Sequence, residues 1–204
     1  MKKLISVTLC IFVLCAMLAA CDSTEAEPSV QVPDYFPGVT TDTEWSSEWI
    51  GLSYTLGDGY TFASHEEINS MMELSADVFL VDESGNPLYD YSKLNVIYEM
   101  MAYDASGSNL IIMCEANQMN LSEAQYFAAM KRQLKQADME YVFSDLTEVT
   151  IGDVTMRKTQ AYTDDYGIRM YQIYLVRVYG DRVISIIASS SNEAAAQALI
   201  DSIR

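Results

Sequence analysis

The sequence predicts a single α+β domain in which a mainly antiparallel β-sheet is flanked by helices on both faces. Turn signals between consecutive β-type runs predict hairpins, and hairpins make a sheet antiparallel. Two of the late runs, YQIYLVRV and VISIIAS, are apolar at both alternating sets of positions, as expected of strands that are covered on both sides. Three helix starts supply elements that can provide this cover. Residues 45–204, about 160 in number, fit one domain.

Each of the three predicted helices begins at a residue suited to capping its first turn. Ser64 and Glu67 form a capping box, and Ser122 and Gln125 repeat the same device. The third helix begins near Asn192. Apolar side chains follow each start at helical spacing. They are Ile68, Met71, Met72, Ala76 and Phe79 in the first helix, Phe127, Met130, Leu134 and Ala137 in the second, and Ala195, Ala196, Leu199, Ile200 and Ile203 in the third.

Turn residues separate the predicted strands. Gly152-Asp153 and Gly180-Asp181 each stand between β-type runs and predict two-residue hairpins with glycine in the first position. The stretches MAYDASGSNLIIM and AYTDDYGIRM predict hairpins with longer turns. The predicted strands cover residues 49–55, 96–103, 109–116, 139–149, 154–162, 168–179 and 182–189.

The N-terminal residues have the features of a secretory signal. A basic head of two lysines precedes seventeen uncharged, mostly apolar residues, which is at the lower limit for crossing a bilayer. The sequence LAAC that ends at Cys21 resembles a bacterial lipobox, which implies lipid transfer to the Cys21 thiol and cleavage before it. The alternative is an ordinary signal peptide with an incidental cysteine. We expect residues 1–20 to be a signal peptide and lipid on Cys21 to hold an exported protein on the outer face of the cytoplasmic membrane.

Residues 21–44 are predicted to be a flexible, acidic tether, because they contain three of the four prolines and have no sustained periodicity. The whole chain has 12 basic and 29 acidic residues; loss of the two lysines within residues 1–20 leaves 10 basic residues and a net charge of −19. This excess of negative charge argues against a nucleic-acid partner, because binding of nucleic acid needs cationic contacts to phosphate. It leaves a cationic or metal-laden partner as an alternative to simple self-repulsion in solution.

The sequence contains no motif for a catalytic, cofactor or metal site. Cys114 would be the lone thiol of the mature chain beside lipidated Cys21, and its apolar surroundings predict a buried, inert side chain. His65, the single histidine, is at the first position of a predicted helix, where a solvated role is usual. The stretch DESGNP at 82–87 lacks the glycine and glutamate spacing of a calcium loop. Asp164 and Asp165 are expected at a solvated hairpin tip.

Tyrosine is the one unusual residue count, with fourteen in the chain. Tyrosine is enriched at protein interfaces, although it is also common in half-buried strands. If the domain has a binding face, the loop at 82–95 and the tyrosine-rich strands are its expected location. The candidate residues are Tyr89, Tyr91, Tyr98, Tyr171 and Tyr174.

The order of these elements resembles the PsbP/Mog1-like group. The stretch SEWIGLSYTLGDGYTFAS resembles the opening of that group, in which a strand leads through a glycine–aromatic corner into a helix. The matching residues are Trp49, Leu52, Tyr54, Leu56, Gly59 and Tyr60. The resemblance implies a central antiparallel sheet with helices on both sides, and in particular a small lipoprotein of Gram-positive, clostridium-type bacteria. It carries over no functional residue, because the group has no common catalytic motif.

These observations together lead us to expect an anchored extracytoplasmic lipoprotein whose domain is non-enzymatic and binds a partner, a protein, at the cell envelope. An envelope hydrolase that uses acidic residues is the first alternative, although no spacing singles out a pair of carboxylates. A small-ligand-binding lipoprotein is the second alternative.

Overall fold

The structure is a computed structural model that describes residues 34–71, 96–136, 140–165 and 167–204. It contains eleven strands and three helices in these residues. Along the chain they are β1 (Val39–Thr40), β2 (Glu44–Ser47), β3 (Leu52–Thr55), β4 (Tyr60–Phe62), α1 (His65–Met71), β5 (Val96–Asp104), β6 (Asn109–Ala116), α2 (Glu123–Gln136), β7 (Tyr141–Phe143), β8 (Thr147–Ile151), β9 (Val154–Asp165), β10 (Ile168–Tyr179), β11 (Arg182–Ser190) and α3 (Glu193–Asp201).

The described strands form two antiparallel sheets. The large sheet has eight strands in the order β4-β5-β6-β11-β10-β9-β7, and β8 pairs with β9 beside β7. The small sheet has the order β1-β2-β3. The prediction of an α+β fold dominated by an antiparallel sheet is therefore confirmed.

Side chains of the central strands alternate between two hydrophobic clusters. On β11, Ile184 and Ile186 belong to a cluster that includes Leu199 of α3, whereas Val183 and Ile187 belong to a second cluster with residues of α2. Because each set of alternating side chains has its own apolar neighbours, every residue of β11 is buried. We call the first side of the sheet the α3 side and the second the α2 side.

The small sheet packs into the cluster on the α3 side. Trp45 of β2 and Tyr54 of β3 are buried there with residues of α3. Backbone hydrogen bonds of 2.7 and 2.9 Å join Ser53 to Arg204, so the end of the chain extends the small sheet by a short bridge. No helix in the described part of the chain is long and apolar enough to cross a membrane.

The predicted hairpins and helix caps are confirmed. Gly152 and Gly180 occupy the first turn positions of their hairpins at φ values of 56° and 62°, which glycine adopts without steric strain. Ser64 and Glu67 exchange the hydrogen bonds of a capping box at the start of α1. The Ser122 box precedes α2, and Asn192 caps α3.

The largest error in the predicted strands concerns the one at residues 139–149. Its described part, residues 140–149, contains β7 and the start of β8 instead of one strand. β7 ends at Phe143 because the backbone N–H of Gln160 on β9 donates to the Ser144 hydroxyl at 2.9 Å. In a continued β-ladder it would donate to a backbone carbonyl group instead. β8 then begins at Thr147. The first predicted strand begins at Leu52 rather than at residue 49, and the short strands β1, β2 and β4 were not predicted.

The predicted end of the tether at residue 44 is also wrong. Residues 34–44 lie against the domain, and Val39 and Thr40 pair with β2. Their proline-containing composition is typical of a linker, but two contacts distant in sequence hold them, as described below. The domain therefore includes residues from at least 34 onward.

Candidate functional site

Glu99 is a buried carboxylate at an irregularity of β5. The pairing with β6 shifts register between Tyr98 and Met100, so Glu99 is the extra residue of a β-bulge. Its Oε1 accepts a hydrogen bond from the Tyr35 hydroxyl at 2.6 Å, and its Oε2 accepts one from the Gly38 backbone N–H at 2.6 Å. Burial raises the pKa of Glu99, whereas these hydrogen bonds act to lower it.

We call residues 35–38 the N-terminal clamp, because Tyr35 and Gly38 both attach to Glu99. The ring of Tyr35 meets Trp49 edge-on with 5.0 Å between centroids, and the guanidinium group of Arg182 lies 5.0 Å from the Tyr35 centroid. Arg182 is only 3% exposed. Burial and the neighbouring Glu99 charge raise the pKa of the Tyr35 hydroxyl, so it remains a hydrogen-bond donor at neutral pH.

Gly38 allows the clamp to approach Trp45 closely. A Cβ atom at position 38 would lie 2.5 Å from the indole Nε1 of Trp45, closer than carbon and nitrogen atoms can pack. The Trp45 N–H acts to lower the pKa of Glu99, although it is buried without a hydrogen bond of ordinary geometry. Both tryptophans of the chain, Trp45 and Trp49, therefore lie at the clamp.

Cys114 is close to this group of residues. It is buried in the cluster on the α3 side, which confirms the predicted burial. Burial raises the pKa of the Cys114 thiol, and the Glu99 charge raises it further, while Arg182 acts in the opposite direction. The thiol therefore stays protonated and is a poor nucleophile.

A second buried carboxylate, Glu115, lies on the α2 side of the sheet. It accepts a hydrogen bond from the hydroxyl of Tyr126, and Ser185 donates to the same hydroxyl at 3.2 Å. Burial raises the pKa of Glu115. Burial, with a smaller effect of the Glu115 charge, raises the pKa of Tyr98 to about 12. Glu115 thus fastens α2 to the sheet as Glu99 fastens the clamp.

The two buried carboxyl groups do not form an acid–base pair. Glu99 contacts the clamp on the α3 side, and Glu115 contacts Tyr126 of α2 on the other side, so the sheet separates them. An acid–base mechanism of the kind predicted for a hydrolase needs two such groups facing one substrate. Within the described ranges, no group of three or more histidine, cysteine, aspartate or glutamate residues is placed to hold a metal ion.

The predicted tyrosine face is not a single surface. Tyr174 is 1% exposed and belongs to the cluster on the α2 side, so it is part of the core. Tyr98 is near Glu115 on that same side, whereas Tyr171 packs with Tyr162 on the α3 side. Because side chains alternate along a strand, tyrosines close in sequence were distributed over both faces. The other two candidates, Tyr89 and Tyr91, lie outside the described residues, as do Cys21 and the 82–87 stretch.

The tip of the β9–β10 hairpin combines aromatic, charged and apolar groups at the surface. Arg169 forms a two-pronged ion pair with Asp164, both hydrogen bonds being 2.8 Å, and its guanidinium lies 4.4 Å from the centroid of Tyr162. Tyr171 packs against Tyr162 with 6.4 Å between centroids. Ile168, in the same tip, is 51% exposed. We call these five residues the hairpin tip; the predicted exposure of Asp164 is confirmed.

The clamp and both buried carboxylates were not predicted from the sequence. A signal for the carboxylates exists, because Glu99 and Glu115 are acidic residues within otherwise apolar strand runs. Tyr35 and Gly38 carry no comparable signal, since their partner is more than sixty residues away in the chain. His65 is at the start of α1 as predicted.

No protein-family model matches the sequence. No curated protein matches it either. Among solved structures, the chain is similar to the solution structure of cyanobacterial PsbP (CyanoP) from Synechocystis sp. PCC 6803, with 9% sequence identity and a TM-score of 0.46. The match covers 84% of this chain and 98% of that chain.

Proposed function

We propose that the protein is an exported lipoprotein, anchored through Cys21, whose non-enzymatic domain binds a protein partner at the cell envelope. The observation that supports the anchor is the LAAC sequence that follows a basic head and a short apolar stretch. Two acyl chains on one cysteine would hold a protein durably, because each buried methylene contributes about 0.8 kcal/mol. We also propose that it is one of the PsbP-like lipoproteins of Gram-positive, clostridium-type bacteria.

The anchor is tested by the substitution Cys21→Ser in the full-length chain. We expect the wild-type protein to fractionate with membranes and the variant to appear in the soluble or secreted fraction, because serine cannot form the thioether to lipid. A matched control is Cys114→Ser, which changes a thiol within the domain. Membrane association of Cys21→Ser at the wild-type level would contradict the anchor.

The position of the clamp supports a particular orientation of the domain. Tyr35 lies near Arg182 at one end of β11, and Trp49 near Tyr179 at the adjoining end of β10. β10 extends from Tyr179 to Ile168, which is roughly 35 Å at the usual rise per residue. A tether that enters at the clamp would therefore place the hairpin tip at the end of the sheet away from the anchor.

The composition of the hairpin tip supports its role as the partner-binding surface. Arg169 is held between Asp164 and the ring of Tyr162, so little side-chain freedom remains to be lost on binding. Tyrosine and arginine are enriched in protein interfaces, and the exposed Ile168 adds an apolar group beside them. We infer a protein partner because this mixture of groups is typical of a partly polar protein interface.

Site-specific photo-crosslinking tests this surface in the native host. A photoreactive residue at position 168 is expected to yield a specific adduct with one envelope protein. The matched control places the same group at Asp153, in the turn of the β8–β9 hairpin at the other end of the sheet. The same adducts from both positions, or an adduct from position 153 alone, would contradict the proposed surface.

We propose that the fold is a PsbP/Mog1-like α-β-α sandwich. Residues of α2 and α3 belong to different hydrophobic clusters, and alternate residues of β10 and β11 pack into one cluster or the other. The arrangement of Glu99 and Glu115 on opposite sides of the sheet favours a binding domain over the alternative of a hydrolase.

A further inference from the structure

The clamp is attached to the domain through the side chain of Glu99 and the ring of Tyr35 rather than by a strand ladder. Residues 34–38 have neither helical nor strand conformation, and β1, which follows, is only two residues long. The hydrogen bonds from Tyr35 and Gly38 converge on one carboxyl group, that of Glu99. A segment held in this way can open locally at a lower free energy than the strands beneath it.

We infer that residues 35–38 form a releasable clamp, held by the Glu99 carboxyl group, whose opening extends the tether without unfolding the large sheet. The residues beneath the clamp support this reading. Trp45 and Cys114 belong to the cluster that contains α3, and that cluster includes central strands of the sheet. These strands keep their own pairing when the clamp is absent, because neither Tyr35 nor Gly38 takes part in the ladder.

Opening of the clamp depends on the charge of Glu99. In the described part of the chain, the ionisable groups around Glu99 are Tyr35 on the clamp itself, Cys114 on β6 and Arg182 on β11. Asp181, just before β11, and Glu115, across the sheet, also act on Cys114. With the clamp closed, burial raises the pKa of Glu99 above 4.5; with the clamp open, the carboxyl group meets water and regains an ordinary pKa. The closed state thus binds the proton more tightly, and a rise in pH above about 4.5 favours opening.

The consequence for the anchored protein rests on the proposed lipid attachment. Release of residues 35–38 adds four residues to the tether, which corresponds to roughly 14 Å of additional reach when extended. The domain would also lose its fixed orientation relative to the tether. Clamp opening itself is a property of the domain and does not require the lipid.

Tryptophan fluorescence of the full-length protein in detergent measures opening directly, because both tryptophans lie at the clamp. As the pH rises from about 5 to about 9, we expect emission to shift to longer wavelength and quenching by acrylamide to increase severalfold. Far-UV circular dichroism should stay constant over the same range. Glu99→Gln should abolish the spectral shift, since glutamine can accept from Gly38 and donate to the Tyr35 oxygen without carrying a charge.

Two further variants make the experiment decisive. Tyr35→Phe removes one hydrogen bond to Glu99 and should move clamp opening to lower pH. This variant replaces Glu99→Gln as the test of the clamp if Glu99→Gln loses its circular dichroism spectrum. Tyr126→Phe removes the equivalent bond to Glu115 on the other side and should leave the tryptophan spectrum unchanged.

Three results would overturn the clamp. The first is a wild-type fluorescence spectrum that does not change with pH, and the second is a fluorescence change that coincides with loss of the circular dichroism signal. The third is an unaltered fluorescence transition in Glu99→Gln. If Glu99→Gln loses its circular dichroism spectrum, an unaltered transition in Tyr35→Phe takes its place. The same measurements on Cys21→Ser separate the two proposals. A clamp that opens in this variant stands even if the variant still fractionates with membranes.

Discussion

The wild-type domain is expected to lose stability as the pH rises above about 4.5, and a double variant that replaces both buried glutamates, Glu99→Gln with Glu115→Gln, is expected to lose much less. Burial raises the pKa of both carboxyl groups in the folded protein. Glutamine has nearly the same shape and can still accept a hydrogen bond from Tyr126 or Gly38. The double variant should therefore keep the packing and lose the proton linkage.

The direction of this effect follows from proton binding. Between the ordinary pKa of 4.5 and the raised value in the fold, the folded state keeps a proton that the unfolded chain has released. The stabilisation is fully present below 4.5 and is lost as the pH rises through the folded pKa values. The slope approaches about 1.4 kcal/mol per pH unit for each group within its window. Glu67 and Asp164, whose pKa values are lowered, act below their own ordinary values and do not overlap this window.

Urea denaturation at a series of pH values measures the effect. The control is Glu44→Gln combined with Glu48→Gln, which removes two negative charges from exposed positions of the same domain. If net charge alone governed the pH dependence, the control pair would flatten the profile as much as the buried pair. A wild-type profile that rises between pH 5 and pH 8, as the usual maximum near neutrality would give, would contradict a dominant role for the two buried acids.

Local sequence signals predicted much of the fold because they act over a few residues. The Gly180-Asp181 turn, the Ser64 capping box and the Asn192 cap each depend on contacts within about four residues. The division of residues 139–149 into two strands depends instead on Ser144 meeting Gln160 across the sheet. Composition alone could not distinguish that serine from others in a strand.

The clamp shows why the candidate site was harder to predict than the fold. Tyr35 occurs in a stretch whose proline content is typical of a tether, and its partner Glu99 becomes accessible to it through a bulge in β5. Tyr174 failed as a binding candidate for a related reason. Its position relative to Tyr171 follows from strand alternation, but which face is covered by α2 is decided by tertiary packing.

Truncating one apolar anchor on each helix is expected to destabilise the domain strongly on both sides of the sheet. Phe127 of α2 is buried in the cluster with Val176 and Val183, and Leu199 of α3 is buried in the cluster with Ile184 and Ile186. Phe127→Ala should lower the free energy of unfolding by about 3–5 kcal/mol, and Leu199→Ala by about 2–5 kcal/mol, because each leaves a cavity as well as losing buried apolar area.

Urea denaturation compares these variants with Met119→Ala, whose side chain is 56% exposed and should change stability by less than about 0.5 kcal/mol. An α-β-α sandwich requires both core variants to be strongly destabilised, since each helix then covers one face. A sheet covered on one face would leave one of the two near the Met119→Ala value. Phe127→Ala is the more informative substitution, because α2 also carries Tyr126, and loosening the helix would expose Glu115 to water. The pH-dependent stability that arises from Glu115 should then weaken in Phe127→Ala, while that from Glu99 should persist.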